Sequence, residues 1–275
     1  MKDMNMKEDM NAICRNIRRK TIDCIYSIGK GHVGGCMSII EVLAVLYCEK
    51  MNINPADPKM EGRDRLVVSK GHAGPAVYAT LACRGYFPEE QLLTLNKIGT
   101  DLPSHCDMNH TVGIDMTTGS LGQGFSCAVG VAVGSRIKRD DATIYTIIGD
   151  GESQEGQIWE AAMYAAHRKL DNLIAFTDSN KLQIDGTVEE VCSLGDLAAK
   201  WESFGWDVQS VDGHDCAAIA AAIDNAKTHR GKPSMIILNT VKGKGVSFAV
   251  AAGAGCHSMS ISEEQYKQAM KELEG

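Results

Sequence analysis

No apolar run in the 275-residue chain approaches the roughly 20 residues that a membrane-spanning helix needs. The opening stretch, MKDMNMKEDMNAICRNIRRK, has no apolar signal core, so a cytoplasmic protein is expected. Positive charge is in deficit: 28 Lys and Arg stand against 35 Asp and Glu, and 28 − 35 = −7. That balance argues against nucleic acid or an anionic membrane as the main ligand. Any anion must be held locally, by backbone amides, a metal or a few placed cations. Ten cysteines contain no C-x-x-C pair and no zinc-like spacing. Most lie in apolar periodic segments, where free cysteine behaves as a small hydrophobe, a pattern that suits a reducing compartment. There is no internal repeat, no low-complexity linker and no G-x-x-x-x-G-K-[ST] loop. No G-x-G-x-x-G follows a strand either, since "GSLGQG" has its glycines in another order, so a Rossmann dinucleotide site is poorly supported.

What is present is an ordinary globular composition, 44% hydrophobic and 23% charged. Apolar spacing predicts a first helix over 8–28 stopped by Gly29, then "GKGHVGG" as a flexible loop. Ser38 and Glu41 have the spacing of a capping box, opening a helix to about Met51. A strand "RLVVS" and a helix ending at Gly85 follow. From "GSLGQG" onward, helices are predicted near 125–138, 156–168, 194–204 and 216–229. They alternate with strands at 143–148, 173–178, 206–211 and "SMIILN", and a helix closes the chain. Such alternation predicts an α/β fold with a doubly wound, mainly parallel sheet and helices on both faces. Ligands of such sheets sit beyond the carboxyl ends of the strands.

Two of those ends carry chemistry. In "TIYTIIGDGESQEG", Asp150 stands between Gly149 and Gly151; in "TDSNKLQIDG", Asn180 lies 180 − 150 = 30 residues later, one βαβ step away. Taken singly, Asp150 reads as a helix cap and Asn180 as an Asx-turn residue. Together they place a carboxylate and an amide oxygen on one rim. With a backbone carbonyl they make half of an octahedral shell that diphosphate oxygens and water would complete around Mg²⁺. Four of eight histidines, His32, His72, His105 and His257, fall in glycine- or turn-rich loops, as expected of a site handling anionic or polyhydroxyl ligands. Lys70, Lys242 and Lys244 are candidate phosphate partners, whereas His110 and His167 read as structural.

In these motifs the chain resembles the thiamine-diphosphate enzymes. With "GHVGG", "SKGHAGPAVYATLACRGYF", "TGSLGQG", "NKLQIDG" and "VKGKGVSF" in the family's order over 30–257, it is specifically similar to transketolases. The resemblance implies one thiamine-diphosphate-binding domain over 1–275, with the pyrimidine-binding and C-terminal domains on a partner chain that supplies the activating glutamate. A dimer of heterodimers, inactive as single chains, is expected. It also implies Mg²⁺, or Ca²⁺ or Mn²⁺ in its place, held by Asp150, Asn180 and the Leu182 carbonyl. His72, Gly151, Asn180, Lys242 and His257 would surround the diphosphate. Gly119, Ser120 and Leu121 would lie against the aminopyrimidine and Ile184 on the thiazolium. His32, His105 and His257 would handle the sugar, and Glu155 would sit near a subunit contact. The implied activity is ketol transfer between sugar phosphates through the cofactor's carbanion and enamine, with xylulose 5-phosphate as default donor and a modified ketose open. "LPSHCD", "GCHS" and Ser120 depart from the family's usual Gly-His-Pro, Trp-His-Gly and proline, which bears on the donor pocket. Cys36, Cys106 and Cys256 flank these loops, which raises the question of oxidation there. Kept as alternatives are a 1-deoxyxylulose-5-phosphate synthase-like or 2-oxoacid dehydrogenase α-like enzyme, and a non-catalytic thiamine-diphosphate-binding module.

Overall fold

The computed structural model describes residues 9–274, so the first position of the predicted opening helix lies outside the described residues. The chain starts with helix α1 (Met10–Tyr26), a two-residue strand β1 (Lys30–Gly31) and short helices α2 (Val33–Met37) and α3 (Ile40–Val45). Strand β2 (Arg65–Val68) leads to α4 (Gly74–Cys83), and a long connection leads to α5 (Gln123–Lys138). Then come β3 (Ile144–Gly149), α6 (Gly156–His167) and β4 (Leu173–Ser179), followed by a small hairpin of β5 (Leu182–Gln183) and β6 (Gly186–Thr187). After α7 (Val188–Cys192) and α8 (Leu197–Ser203), β7 (Asp207–Asp212), α9 (Cys216–Thr228) and β8 (Ser234–Asn239) complete the main sheet. Helix α10 (Ser247–Ala251), β9 (Met259–Ser260) and α11 (Glu263–Glu272) finish the described chain.

The five-stranded sheet has the order β2-β3-β4-β8-β7, and every pairing is parallel. Both faces are covered, so the central strands are apolar on both sides. Tyr145, Ile147, Ile174, Phe176, Ile236 and Leu238 point into one core with α1, α3, α4 and α9. Their alternates Ile144, Ile148, Leu173, Ala175, Met235 and Ile237 pack with α5, α6, Trp201 and Trp206. This is the doubly wound α/β arrangement expected from the alternating pattern. Among the described residues no helix is long and apolar enough to cross a membrane.

Two local expectations fail. "GKGHVGG" is not a flexible loop: Lys30 and Gly31 pair antiparallel with Ser260 and Met259, and α2 begins at Val33. Its glycines serve close packing, because a Cβ on Gly34 would fall 2.4 Å from Cys256 Sγ and 2.8 Å from Lys242 Cγ. The Ser38–Glu41 capping box does not form. Ile39 is the N-cap of α3, and both polar side chains are drawn into tertiary contacts that outweigh a local cap: Ser38 Oγ donates to Asp178 and Glu41 accepts from Arg18. The helix also changes its winding, passing at Leu46–Lys50 into a π turn closed by Met51 N–H onto the Leu46 carbonyl.

Candidate active site

Parallel strands deliver their following loops to one edge of the sheet, and here four such loops converge. Lys70 and His72 follow β2, Asp150 and Gly151 follow β3, Asn180 and Leu182 follow β4, and Lys242 follows β8. With His32, His105 and His257 from flanking segments, they line a cavity of about 360 Å³. Of the residues the family resemblance assigns to cofactor, metal and sugar, His32, His72, His105, Gly119, Leu121, Asp150, Gly151, Asn180, Leu182, Ile184, Lys242 and His257 all belong to this lining. Ser120 is exposed and stands outside it. Glu155 is exposed at the rim.

Beneath the cavity floor lies Asp178, fully buried and bonded on all sides. It accepts from Lys70 Nζ at 2.6 Å, Ser38 Oγ at 2.6 Å and Asn180 Nδ2 at 2.9 Å, and also from the Thr240 hydroxyl. Burial alone would raise this carboxyl, but the Lys70 charge and these donors outweigh it and hold Asp178 below the usual carboxylate range. The contact with Asp178 also settles how the Asn180 amide is turned. Its Nδ2 is committed to Asp178, and Oδ1 is left facing the other way, where it accepts from Leu182 N–H at 3.1 Å in an Asx turn. Asp150 accepts from Gly151 N–H at 2.8 Å and Lys181 N–H at 2.5 Å. The local capping and turn bonds of Asp150 and Asn180 thus do form, yet a carboxylate and an amide oxygen each retain acceptor capacity.

The charges at the cavity wall are incompletely compensated. Burial, and the Asp178 charge after it, push Asp150 up to about 6, and no ion pair among the described residues includes Asp150. Lys242 is 4% exposed, and its ammonium meets the Leu182 carbonyl at 2.9 Å and His257 Nδ1 at 3.4 Å, with no carboxylate in salt-bridge range among the described residues. Burial and the nearby Lys70 lower its pKa. A buried carboxylate and a buried ammonium, neither neutralised by a direct partner, suit a cation and an anion bound together. A metal bridging to a diphosphate has that character. Among the described residues no cluster of three or more His, Cys, Asp or Glu side chains is arranged to hold a metal. Asp150, Asn180 and the Leu182 carbonyl are a donor set of different composition: one carboxylate, one amide and one main-chain oxygen.

The four loop histidines, far apart in sequence, form one cluster. The His32 ring lies 5.3 Å from His72, 5.6 Å from His105 and 5.4 Å from His257, and His72 lies 4.9 Å from His257. Burial lowers the pKa of all four. His72 falls well below the usual value, and burial followed by the Lys242 charge brings His257 to about 4. Near pH 7 the cluster is therefore neutral, able both to donate hydrogen bonds and to accept a proton.

Other expected partners resolve differently. Lys70 lines the cavity, but its ammonium is committed to Asp178. Lys244 is exposed and outside the lining; its carbonyl accepts from Arg18 Nε at 3.2 Å. His167 is exposed at the end of α6, and His110 lines a separate surface groove. Cys36, Cys106 and Cys256 are buried; burial pushes the first two thiols up to about 12 and raises the third, which leaves them protonated and poorly reactive.

Sequence reading missed the supports. Glu152 is buried under the Gly149 turn, accepting from Gly122 N–H at 2.8 Å, Gly149 N–H at 3.0 Å and the Ser69 hydroxyl. Arg18 grips Glu41 at 2.6 and 2.8 Å, and Glu41 faces His214 Nδ1 at 3.2 Å. His214 Nε2 accepts from Val241 N–H at 2.9 Å, which anchors the segment that carries Lys242. An aspartate inside the otherwise apolar run "LIAFTDS" was the visible signal for Asp178; Glu41 stood out only by its capping-box spacing, and nothing local distinguished His214.

The chain matches the family model of the transketolase, thiamine diphosphate binding domain over residues 9–274. It is 60% identical to the 6-deoxy-6-sulfo-D-fructose transketolase subunit SqwG of Clostridium sp. (strain MSTE9), an alignment covering 97% of this chain and 96% of that protein. It is 39% identical to an apulose-4-phosphate transketolase subunit of Phocaeicola vulgatus, over 93% of this chain and 90% of that one. Against the transketolase of Mus musculus, identity is 34% over 98% of this chain, which spans 43% of that protein. Among solved structures, a transketolase mutant from Pichia stipitis superposes with a TM-score of 0.90 at 32% identity, covering 97% of this chain and 41% of the other.

Proposed function

This chain belongs to the transketolase family, in its thiamine diphosphate binding domain, and from that premise we propose that it is the diphosphate-binding subunit of a two-chain transketolase. The observation that carries the reading is the gathering of Asp150, Lys242 and four histidines in one cavity at the carboxyl ends of the strands. Bound thiamine diphosphate supplies a carbon nucleophile and an electron sink for moving a two-carbon ketol unit from a ketose to an aldose. Asp150, Asn180 and the Leu182 carbonyl would hold Mg²⁺, while Lys242 and His72 would face the diphosphate. Gly119, whose added Cβ would meet the His105 ring at 3.2 Å, lets His105 pack close to the main chain, and with Leu121 it lines the wall against which the aminopyrimidine would lie. Ile184, 64% exposed at the rim, offers apolar surface to the thiazolium. His32, His105 and His257 hydrogen-bond the sugar hydroxyls, and as neutral imidazoles they can take and return a proton.

For the donor, the 60%-identical relative named for 6-deoxy-6-sulfo-D-fructose favours a sulfonated ketose over xylulose 5-phosphate. The lower identity to the relative named for apulose 4-phosphate makes that sugar the second candidate. These two relatives, both named as subunits, are nearly the length of this chain, whereas full transketolases are more than twice as long. That difference supports a separate partner supplying the pyrimidine-binding domain. A dimer of such heterodimers is the assembly proposed.

The test is to co-express the chain with its candidate partner and assay ketol transfer from 6-deoxy-6-sulfofructose, apulose 4-phosphate and xylulose 5-phosphate, with thiamine diphosphate and Mg²⁺. Transfer by the complex, highest with the sulfonated donor and absent for either chain alone, is expected. Cofactor binding without transfer from any donor would leave a binding module instead.

A further inference from the structure

Away from the cavity, two thiols that are 216 − 14 = 202 residues apart in sequence face one another. Cys14 lies on the buried side of α1, and Cys216 is the first residue of α9; their sulfurs are 3.7 Å apart. A disulfide bond is about 2.0 Å long. The sulfurs therefore need to close by roughly 1.7 Å, a distance within reach of side-chain rotation. The two members differ in a useful way. Cys14 is buried within the core beneath α1, whereas Cys216 is half-buried and open to solvent on one side.

Their electrostatics differ as well. The hydrogen bond shared with Cys14 lowers the Cys216 pKa; burial and the Glu41 and Asp215 charges oppose it, and the Arg18 charge assists it. The same contact, with burial, raises Cys14. The outer sulfur, the more accessible of the two, is the one placed to react as the thiolate. Cys216 also sits in the first turn of a 13-residue helix, where main-chain amides favour negative charge. An accessible thiolate with a buried thiol behind it has the layout of an attacking and a resolving cysteine.

We propose that Cys14 and Cys216 form a reversible disulfide on contact with a low-molecular-weight organic disulfide, clipping α1 to α9. In the first step the Cys216 thiolate attacks one sulfur of the reagent, forming a mixed disulfide and expelling one thiolate. Cys14 then gives its proton to that thiolate and attacks the Cys216 sulfur, forming the Cys14–Cys216 bond and releasing the second thiolate, which takes a proton from water. The two protein thiols lose two electrons, and the reagent gains them as two thiols. Neither thiol lines the cofactor cavity, and the clip does not involve the buried Cys36, Cys106 and Cys256.

The experiment treats the purified full chain with oxidised glutathione, alkylates the remaining thiols without reduction, and maps the peptides by mass spectrometry. The exposed Cys127 and Cys192 report that the reagent is active. The expected result is a Cys14–Cys216 linked peptide that dithiothreitol reverses. In Cys14→Ser, Cys216 is expected to retain glutathione; in Cys216→Ser, Cys14 is expected to stay reduced. Wild-type protein in which Cys216 keeps glutathione while Cys14 is alkylated, or in which both are simply alkylated, would overturn the proposal. The wild-type map decides the matter whether or not either variant folds.

Discussion

At the residue scale, the site depends on groups buried with incomplete compensation, and this makes its stability pH-dependent. His257 has its pKa lowered to about 4 from the ordinary 6.5. His32, His72 and His105 are lowered too. For a base with a depressed folded-state pKa, the unfolded chain binds the proton more tightly. Stability is therefore complete above about pH 6.5 and is lost as pH falls toward 4, at less than the ~1.4 kcal/mol per pH unit of one fully coupled proton for each half-exposed ring, because solvent screens it. Urea titrations at pH 7 and pH 5 are expected to show this loss, and His257→Gln to reduce the slope by about one proton; an unchanged slope would mean that His257 is solvated and titrates normally. A second prediction concerns Lys70 and Asp178, which are 2% and 0% exposed at the side chain. Asp178→Ala strands a buried ammonium and is expected to cost about 3–5 kcal/mol. Replacing both, as Asp178→Asn with Lys70→Met, is expected to cost less than the sum of the single changes in a double-mutant cycle. Much of this was hidden in the sequence. Asp150, Asn180 and the loop histidines announce themselves through their glycine neighbours. Glu41, Glu152 and His214 act through partners 23, 83 and 27 positions away, which no local pattern records.

At the element scale, the central βα alternation was legible because strands buried on both faces read as continuous apolar runs and the intervening helices keep their own period. The N-terminal part was less so. Ser38 and Glu41 match a capping box by spacing, yet each gains more from a buried charged partner than from a local cap. Glycine was also ambiguous there, because a flexible loop and a close helix contact use the same residue. Two substitutions separate those roles. Gly34→Ala would thrust a methyl to 2.4 Å from Cys256 Sγ, and overpacking of this kind costs about 1–3 kcal/mol. Gly130→Ala in α5 meets nothing within 4 Å among the described residues. There the helix is expected to gain about 0.5–1 kcal/mol from the lost chain freedom of the unfolded state. Thermal melts of the two variants should move in opposite directions; a Gly34→Ala melt equal to wild type would restore the flexible-loop reading.

At the scale of the whole molecule, the feature that matters is that the cavity is open to solvent at its rim. Its floor is buried, built from strand ends and the Asp178 network, but its rim carries exposed Glu155 and an Ile184 that is 64% open to solvent. The chain also spans 43% of a full-length transketolase. Under the proposed assembly, the diphosphate end of the cofactor finds its partners here and the pyrimidine end finds them on the other chain. Affinity should divide accordingly. The isolated chain is expected to bind thiamine diphosphate in the presence of Mg²⁺, measurably but at least about tenfold more weakly than the complex, a difference of ~1.4 kcal/mol or more. Chelating the metal, or replacing Asp150 with Ala, is expected to abolish binding in both, because the diphosphate charge then has no bridging cation. Inorganic pyrophosphate, which lacks the pyrimidine, should bind the isolated chain and the complex alike. Calorimetry with both ligands on both preparations separates the possibilities. Equal cofactor affinity with and without the partner would mean that this chain alone completes the site, and a metal-independent cofactor affinity would remove Asp150, Asn180 and Leu182 from their proposed role.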